Sequence, residues 1–264
     1  MISIIIPVIV LGLLGLALGV GLAIASKKFA VKRDPKIEII FGILPGANCG
    51  VCGFAGCLGY AKAIVENGAK TELCPVCGEE ALKKIVEVFG VERNSQQKLV
   101  ARIHCGGDIS EKRQKGDYDG VKTCLSAQLV SGGTIMCNYG CLGFGDCARI
   151  CPFDAIKLKE KFPPEIDKEK CTACGLCIKT CPRNLIKPVP KEKKFLIACS
   201  SRDKGKTVRQ VCDIGCTACM LCVKKCQEKA CTVENNLSKI DYTKCKNLGE
   251  CFKACPTKCI QQNR

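Results

Sequence analysis

From Ile2 to Ala25 no charged side chain interrupts an almost continuous apolar run. As a helix, its roughly 24 residues would reach about 36 Å, enough to cross a bilayer with some tilt. The pattern predicts a transmembrane helix. A cleaved signal peptide is the competing reading, because Ala23-Ile24-Ala25 has the small-x-small form of a cleavage site, but no Lys or Arg precedes the run as a secretory leader requires. Lys27, Lys28, Lys32, Arg33 and Lys36 follow directly. That basic flank predicts a single pass through the cell inner (cytoplasmic) membrane, with the remaining domains on the cytoplasmic side. Gly15 and Gly19 form a small-xxx-small pair that could seat a neighbouring membrane helix.

Further along, apolar positions come in short groups. Ile39 to Leu44 is one. Ala81, Leu82, Ile85, Val86 and Phe89 recur at helical spacing and Gly90 offers a stop, so an amphipathic helix is expected there as ordinary core. Residues Arg93 to Gly120 are polar, with Gly106-Gly107 and Gln114 to Asp119 reading as loop. The expected organisation is an anchor over 1–26, a basic linker over 27–38, a small four-cysteine domain over 39–92, a connector over 93–135, and two modules over 136–190 and 191–264.

Composition changes the picture of the core. Of 264 residues 26 are cysteine, against nine Phe, four Tyr and no Trp. Outside the cysteines and the N-terminal run, about 80 apolar residues remain. That is thin for a core of this length, so whatever the cysteines bind must replace part of the buried hydrocarbon. Such density means a disulfide scaffold, a zinc protein or an iron–sulfur protein. The reducing side of the membrane, set by the basic flank, disfavours the first.

From Cys124 the chain repeats at an offset of 75: Cys124, Cys137, Cys141, Cys147 and Cys151 return as Cys199, Cys212, Cys216, Cys222 and Cys226. Ser126 pairs with Ser201, Gly140 with Gly215 and Ala155 with Ala230. At offset 74, Ile166-Asp167-x-x-Lys170-Cys171 returns as Ile240-Asp241-x-x-Lys244-Cys245. Two modules of one kind are expected.

Cys171-x2-Cys174-x2-Cys177-x3-Cys181-Pro182 has the spacing that bacterial ferredoxins use for cubane clusters, in which the fourth cysteine serves the other cluster. Three thiolates on a tight loop wrap three corners of a cube, and the fourth corner comes from elsewhere. By that exchange Cys151 completes Cys171, Cys174 and Cys177, and Cys255 completes Cys216, Cys219 and Cys222. The other half of each module lacks its central cysteine: Phe144 stands between Cys141 and Cys147, and Leu248 between Cys245 and Cys251. Each of these sites keeps three thiolates, Cys141, Cys147 and Cys181 in one and Cys226, Cys245 and Cys251 in the other. Such sites suit a three-iron cluster or a four-iron cluster with an unusual fourth ligand. Cys137 is the candidate in the first module. In the second, Cys231 and Cys259 are possible, although Ile156 and Leu185 at the matching positions suggest apolar packing, and a three-iron or empty site is favoured.

The soluble part opens with Cys49-x2-Cys52-x4-Cys57-x16-Cys74, interleaved with Gly50, Gly53, Gly56 and Gly59, which let backbone amides approach a cluster. A zinc knuckle, with Cys74-x2-Cys77 as its second pair, is the alternative. Cys105, Cys124, Cys199 and Cys212 remain, and with Cys137 they could build a further cluster between the modules or stand as buried thiols. His104, the only histidine, is left out of the sites. The fold class is α+β: a transmembrane helix, a small iron–sulfur domain and tandem ferredoxin-like modules.

With its anchor, the Pro45-Gly46-Ala47-Asn48-Cys49-Gly50-Val51-Cys52-Gly53 opening, Tyr139-Gly140-Cys141-Leu142-Gly143, Cys151-Pro152-Phe153-Asp154-Ala155-Ile156 and the tandem modules, nearly the whole chain resembles the B subunit of the Rnf complex, the membrane-bound ion-translocating ferredoxin:NAD oxidoreductase. The cysteine sets make room for at least three 4Fe–4S clusters and up to five or more sites, one of which could be 3Fe–4S. The resemblance implies an electron wire that takes electrons from reduced soluble ferredoxin and passes them to other Rnf membrane and peripheral subunits, in a complex that reduces NAD and exports Na+ or H+. No dinucleotide fingerprint and no nucleophile with a base stand in the chain, so NAD, flavin and the ion path are expected in those other subunits. A polyferredoxin of another membrane complex such as a hydrogenase, and a structural zinc protein, are the alternatives.

The formal charge is +16, which by itself would suggest nucleic acid. The isoelectric point of only about 8.9 shows that many thiols contribute to the titration. A four-iron cluster with its four thiolates carries about −2, so five such sites would leave about +6. No nucleic acid is expected. The residual charge suits anionic lipid beside the linker and an acidic electron carrier near the outer ferredoxin module.

Overall fold

The N-terminal apolar run forms α1 (Ile2–Lys28), and from Ile9 to Ile24 every side chain is exposed. The helix is long and apolar enough to cross a membrane, and such a surface is stable only against other hydrocarbon. The structure, a computed structural model, describes residues 2–28, 34–89, 97–108, 114–160 and 162–262; Lys32 and Arg33 of the basic flank and Gly90 lie outside them.

Two compact units are formed, one from the N-terminus to Gly50 with Phe54–Lys70, the other from Val51–Gly53 with Thr71 onward. In the first, α2 (Pro35–Ile43) starts on Asp34, whose carboxylate accepts the Lys36 amide at 2.9 Å, with Pro35 at the first helical position. Ile37 and Ile40 are buried where α2 packs on α3 (Gly56–Asn67), alongside Tyr60, Ala61 and Ile64. Tyr60 satisfies its hydroxyl by donating to the Lys70 carbonyl at 2.7 Å. Helix α3 stops at Gly68 in the left-handed conformation.

In the second unit, the expected amphipathic helix is α4 (Glu79–Phe89), with Ile85 fully buried. The stretch read from sequence as connecting loop contains a strand, β1 (Leu99–Ile103), paired antiparallel with β4 (Ile186–Pro190) in the register Val100↔Val189. Its burial runs through Val100, Ala101 and Arg102 without alternation. A buried arginine in the middle of the strand hides the period-2 signal. Helix α5 (Cys124–Leu129) also lies in the expected connector.

Each module is two antiparallel ribbons with two or three short helices. In the first, β1 and β4 form one ribbon and the hairpin β2 (Ile156–Lys159) with β3 (Phe162–Ile166) the other, beside α6 (Asp146–Arg149) and α7 (Leu176–Thr180). The second has β5 (Phe195–Ile197) paired with β8 (Ile260–Gln262), the hairpin β6 (Cys231–Glu234) with β7 (Leu237–Ile240), and α8 (Gly205–Val211), α9 (Leu221–Lys225) and α10 (Glu250–Lys253). The β6–β7 turn places Asn235 and Asn236 at φ 49° and 61°, the two-residue geometry that matches strand twist.

The structural repeat departs from the sequence offset at one point. The His104 amide donates to the Leu185 carbonyl and the Ala198 amide to the Cys259 carbonyl, each at 2.8 Å. These are counterpart bonds, so Cys105 corresponds to Cys199. The constant offset had paired Cys199 with Cys124. The first module carries about nineteen more residues between its first strand and its cluster loop than the second does, and Cys124 lies within that insertion.

Candidate iron–sulfur centres

Four loops share one backbone course. Cys141, Cys171, Cys216 and Cys245 each open a loop whose second and fourth following residues have positive φ: Gly143 and Gly145, Ala173 and Gly175, Ala218 and Met220, Asn247 and Gly249, from 55° to 82°. Each loop then enters one of the short helices α6, α7, α9 and α10. A second signature follows the other half of each motif, where Asp154, Asn184, Lys229 and Lys258 stand three residues after Cys151, Cys181, Cys226 and Cys255 with φ between 48° and 54°. Left-handed conformations at Ala, Met and Lys cost on the order of 1 kcal/mol each and persist only where the surroundings demand them. Here the demand is a chain wrapped around a point. The two loops that lost their central cysteine keep the same course, so only the side chain has changed at Phe144 and Leu248.

The four cysteines of each complete set line a single cavity. Cys151, Cys171, Cys174 and Cys177 line one cavity, with Ala101 and Ile156 as apolar wall. Strand β1 takes part directly, since the Ala101 amide donates to the Cys171 sulfur at 3.3 Å. Cys216, Cys219, Cys222 and Cys255 line another, walled by Val233 and Ile260. Desolvation pushes the Cys177 thiol up to about 12, whereas hydrogen bonds from neighbouring thiols hold Cys216 and Cys222 down to about 6.

At the first altered site the structure brings a thiol other than the expected one beside the motif cysteines. Cys141, Cys147 and Cys181 line a cavity together with Cys124, and Cys137 is not on its wall. Asp146 explains the placement of Cys124, because its carboxylate accepts the amides of Cys124 at 2.8 Å and Leu125 at 3.3 Å, tying the start of α5 to the loop that carries Cys147. Phe144 belongs instead to a small apolar cluster of Ala127, Ile135 and Leu142, with its ring edge-on to Tyr118 at 5.8 Å. Cys137 lines a different cavity, with Cys105, Cys141, Cys199 and Cys212. The place of Cys124 beside this loop was not visible in the sequence, because a constant offset gave it a partner in the second module.

At the second altered site, Cys226 and Cys251 pack in a buried core with Cys231, and Leu248 is 53 % exposed, leaving that corner to solvent. Cys245 opens the loop of this site. Cys231 and Cys259 are 3 % and 2 % exposed and do occupy core positions, yet they are not merely apolar filling. Cys231 hydrogen-bonds Cys222 and Cys251, and Cys259 hydrogen-bonds Cys199 and Cys216. Those bonds and burial raise both thiols far above the usual range.

In the four-cysteine domain, Cys49 lies in the loop after α2 and Cys57 in the first turn of α3, where its amide donates to the Asn48 side chain at 2.8 Å. A Cβ on Gly56 would meet that same Asn48 oxygen at 2.8 Å, so the turn requires glycine. Cys52 lies in the second unit, as do Cys74, buried after a single 3-10 turn (Thr71–Leu73), and Cys77, whose amide donates to the Cys74 carbonyl.

The donor sets fit multi-iron clusters better than single ions. Among the described residues no three His, Cys, Asp or Glu side chains converge closely enough to hold one metal ion, and thiolates on one zinc would stand about 3.8 Å apart. Instead, thiols surround cavities, two of which enclose about 430 Å³ each with their mouths included. Backbone amides point at the sulfurs: Leu185 at Cys181 (3.4 Å) and Ala230 at Cys226 (3.3 Å).

Arg183 anchors the loops around the first altered site. Its guanidinium donates to the carbonyls of Cys137 (2.8 Å), Gly140 (2.6 Å) and Gly132, and to the Gln128 side chain (2.7 Å). Replacing it with Met strands those acceptors. The expected loss is about 3 kcal/mol of stability, with Lys restoring only part of it because a point charge cannot span four acceptors. Thermal unfolding of the purified variants measures this directly.

Three family profiles match the chain: "Putative Fe-S cluster" over residues 44–76, "4Fe-4S dicluster domain" over 136–185 and "4Fe-4S binding domain" over 238–261. Among curated proteins, it is 45 % identical to the B subunit of the Na(+)-translocating ferredoxin:NAD(+) oxidoreductase complex of Acetobacterium woodii, over 98 % of this chain and 78 % of that one. It is 41 % identical to the B subunit of the ion-translocating oxidoreductase complex of Methanosarcina acetivorans, over 96 % of both chains. To the B subunit of the proton-translocating ferredoxin:NAD(+) oxidoreductase complex of Clostridium ljungdahlii it is 37 % identical, over 98 % of this chain and 92 % of that one. Near-complete coverage at these identities, on a chain whose motif thiols line shared cavities, means that the protein belongs to the family of B subunits of Rnf-type ion-translocating ferredoxin:NAD oxidoreductases.

Proposed function

We propose that this chain is the membrane-tethered electron wire of its complex, taking electrons from reduced soluble ferredoxin on the cytoplasmic side of the cell inner membrane and passing them to other Rnf subunits that reduce NAD and move Na+ or H+. The observation that carries the reading is the pair of three-plus-one thiol sets around cavities, Cys171, Cys174, Cys177 with Cys151, and Cys216, Cys219, Cys222 with Cys255. Bound there, 4Fe–4S clusters supply one-electron transfer. The chain's own part is to fix the thiolates, exclude water and aim amides at the sulfurs. Cys124, Cys141, Cys147 and Cys181 form a third set, Cys226, Cys245 and Cys251 a fourth with an open corner, and Cys49, Cys52, Cys57 and Cys74 a fifth by their spacing. Domain limits follow the sets, with the first module starting at β1.

Electron entry is assigned to the second module. Cys219 is the one exposed cysteine of the 26, so the site it belongs to lies nearest solvent. Met220, Leu221, Leu248 and Phe252 are exposed apolar side chains of the same module, and Lys224 and Lys225 end α9. An apolar patch with basic neighbours suits an acidic carrier. Iron, sulfide and zinc analysis of the anaerobically purified protein, with its visible spectrum, tests the reading: brown protein rich in iron supports it, and colourless protein with stoichiometric zinc sinks it. A chain lacking residues 2–28 is expected in the soluble fraction, still brown, whereas the full chain sediments with membranes; cell fractionation checks this.

A further inference from the structure

Cys105, Cys199 and Cys212 belong to none of the five sets above, and Cys137 has left the set expected for it. All four line one cavity. They come in two matched pairs. Cys105 stands two residues beyond the end of β1 and Cys199 two beyond the end of β5, at counterpart positions of the two modules. Cys137 and Cys212 each stand four residues before the first cysteine of a cluster loop, and their sulfurs take the same place: a Cβ on Gly140 would lie 3.5 Å from one, and a Cβ on Gly215 3.3 Å from the other. Each module therefore offers the same two thiols to the junction.

Backbone bonds join the two strand ends there. The Gly106 amide donates to the Ala198 carbonyl at 3.0 Å, and the Ser200 hydroxyl donates to the His104 carbonyl at 2.9 Å. The sulfurs also receive amides in the manner of the motif sulfurs. Cys105 accepts from Cys141 at 3.3 Å, and Cys199 from Ser201 at 3.4 Å. Amide-to-sulfur bonds of the same length also occur at Cys171, Cys181 and Cys226.

We infer that Cys105, Cys137, Cys199 and Cys212 ligate an additional iron–sulfur cluster, held at the junction of the two modules by two thiolates from each. Its neighbours follow from the lining. Cys141 is on the wall of this cavity and of the Cys124, Cys147 and Cys181 cavity. On the other side, the Cys199 sulfur shares the Cys259 thiol with Cys216, a member of the second-module set. The junction site thus stands between a site of each module. One electron would arrive from the neighbour on one side, oxidising it by one electron, and leave to the neighbour on the other, with no atom or proton transferred. Two ferredoxin-like modules become one conductor rather than two separate ones.

The inference rests on the iron–sulfur reading of the motif cysteines, and the experiment separates the two. The full chain and its Cys105→Ala/Cys212→Ala double variant are purified anaerobically, and iron, sulfide and zinc per chain are measured together with paramagnetic resonance during a reductive titration. The expected result is a loss of about four iron per chain, with one reducible centre missing and the signals of the Cys171 and Cys216 sites kept. Cys212→Ser alone, a milder change, gives the same reading should the double variant not fold. Unchanged iron and an unchanged set of signals would overturn the inference while leaving the motif clusters standing, as would one zinc per chain that the variant loses. An iron-free wild-type chain would overturn both.

Discussion

Replacing Cys171 with Ser is expected to remove the cluster bound by Cys151, Cys171, Cys174 and Cys177 and to lower ferredoxin-driven NAD reduction by the assembled complex about 100-fold or more. The size of the effect follows from the position of this thiol. Cys171 opens its loop, and its sulfur is the one fixed from outside the loop by the Ala101 amide of β1. A serine oxygen at that point loses both the soft ligand that iron prefers and the geometry of that bond. A wire interrupted at one centre carries no current past it, so the loss is nearly all-or-none. Co-purification of the other subunits in normal amounts, together with an unaltered signal from the Cys216 site, separates a cut wire from a misassembled complex. A rate within about twofold of the wild type would mean that electrons bypass this site, and the proposed path would be wrong.

Much of this arrangement was legible in the sequence because the ligand spacing and the backbone course are the same constraint. Cys-x2-Cys-x2-Cys places residues two and four after the first thiol in left-handed turns, which is why Ala173 and Gly175, or Ala218 and Met220, stand where they do. The anchor and α4 were legible as well, through length and helical period. Three things were not. Strand β1 was hidden by the buried Arg102, since a strand with a charged residue inside does not alternate. Cys124 was hidden by an insertion, because a repeat read at constant offset cannot show that one copy has gained residues between its first strand and its loop. The role of Cys231 and Cys259 was half visible: Ile156 and Leu185 in the sister module pointed to packing, and only the structure shows Cys231 bonded to Cys222 and Cys251 and Cys259 bonded to Cys199 and Cys216. Each miss concerns a contact between segments distant in sequence.

The insertion also makes the first altered site testable by exchange. With Phe144 in place of the central cysteine, the proposed fourth thiol at Cys141, Cys147 and Cys181 is that of Cys124, which lines their cavity and whose backbone amide is held by the Asp146 carboxylate. Cys124→Ser is therefore expected to convert this site to a three-iron form, seen as a new oxidised-state paramagnetic signal and a loss of about one iron per chain. The loop at Phe144 still has the left-handed Gly143 and Gly145 of its complete counterparts. A second change, Phe144→Cys, should then restore the four-iron form within the Cys124→Ser background, because a thiol returns to the corner that the backbone already wraps. The exchange carries a cost in packing, since Phe144 leaves the cluster of Ala127, Ile135 and Leu142 and its contact with Tyr118. Phe144 is only half-buried, so emptying that space is expected to lower stability by about 1 kcal/mol, and the rescued variant should recover its spectrum but melt earlier than the wild type. Restoration of the signal without Phe144→Cys, or its absence with it, would return Cys137 to consideration as the fourth ligand.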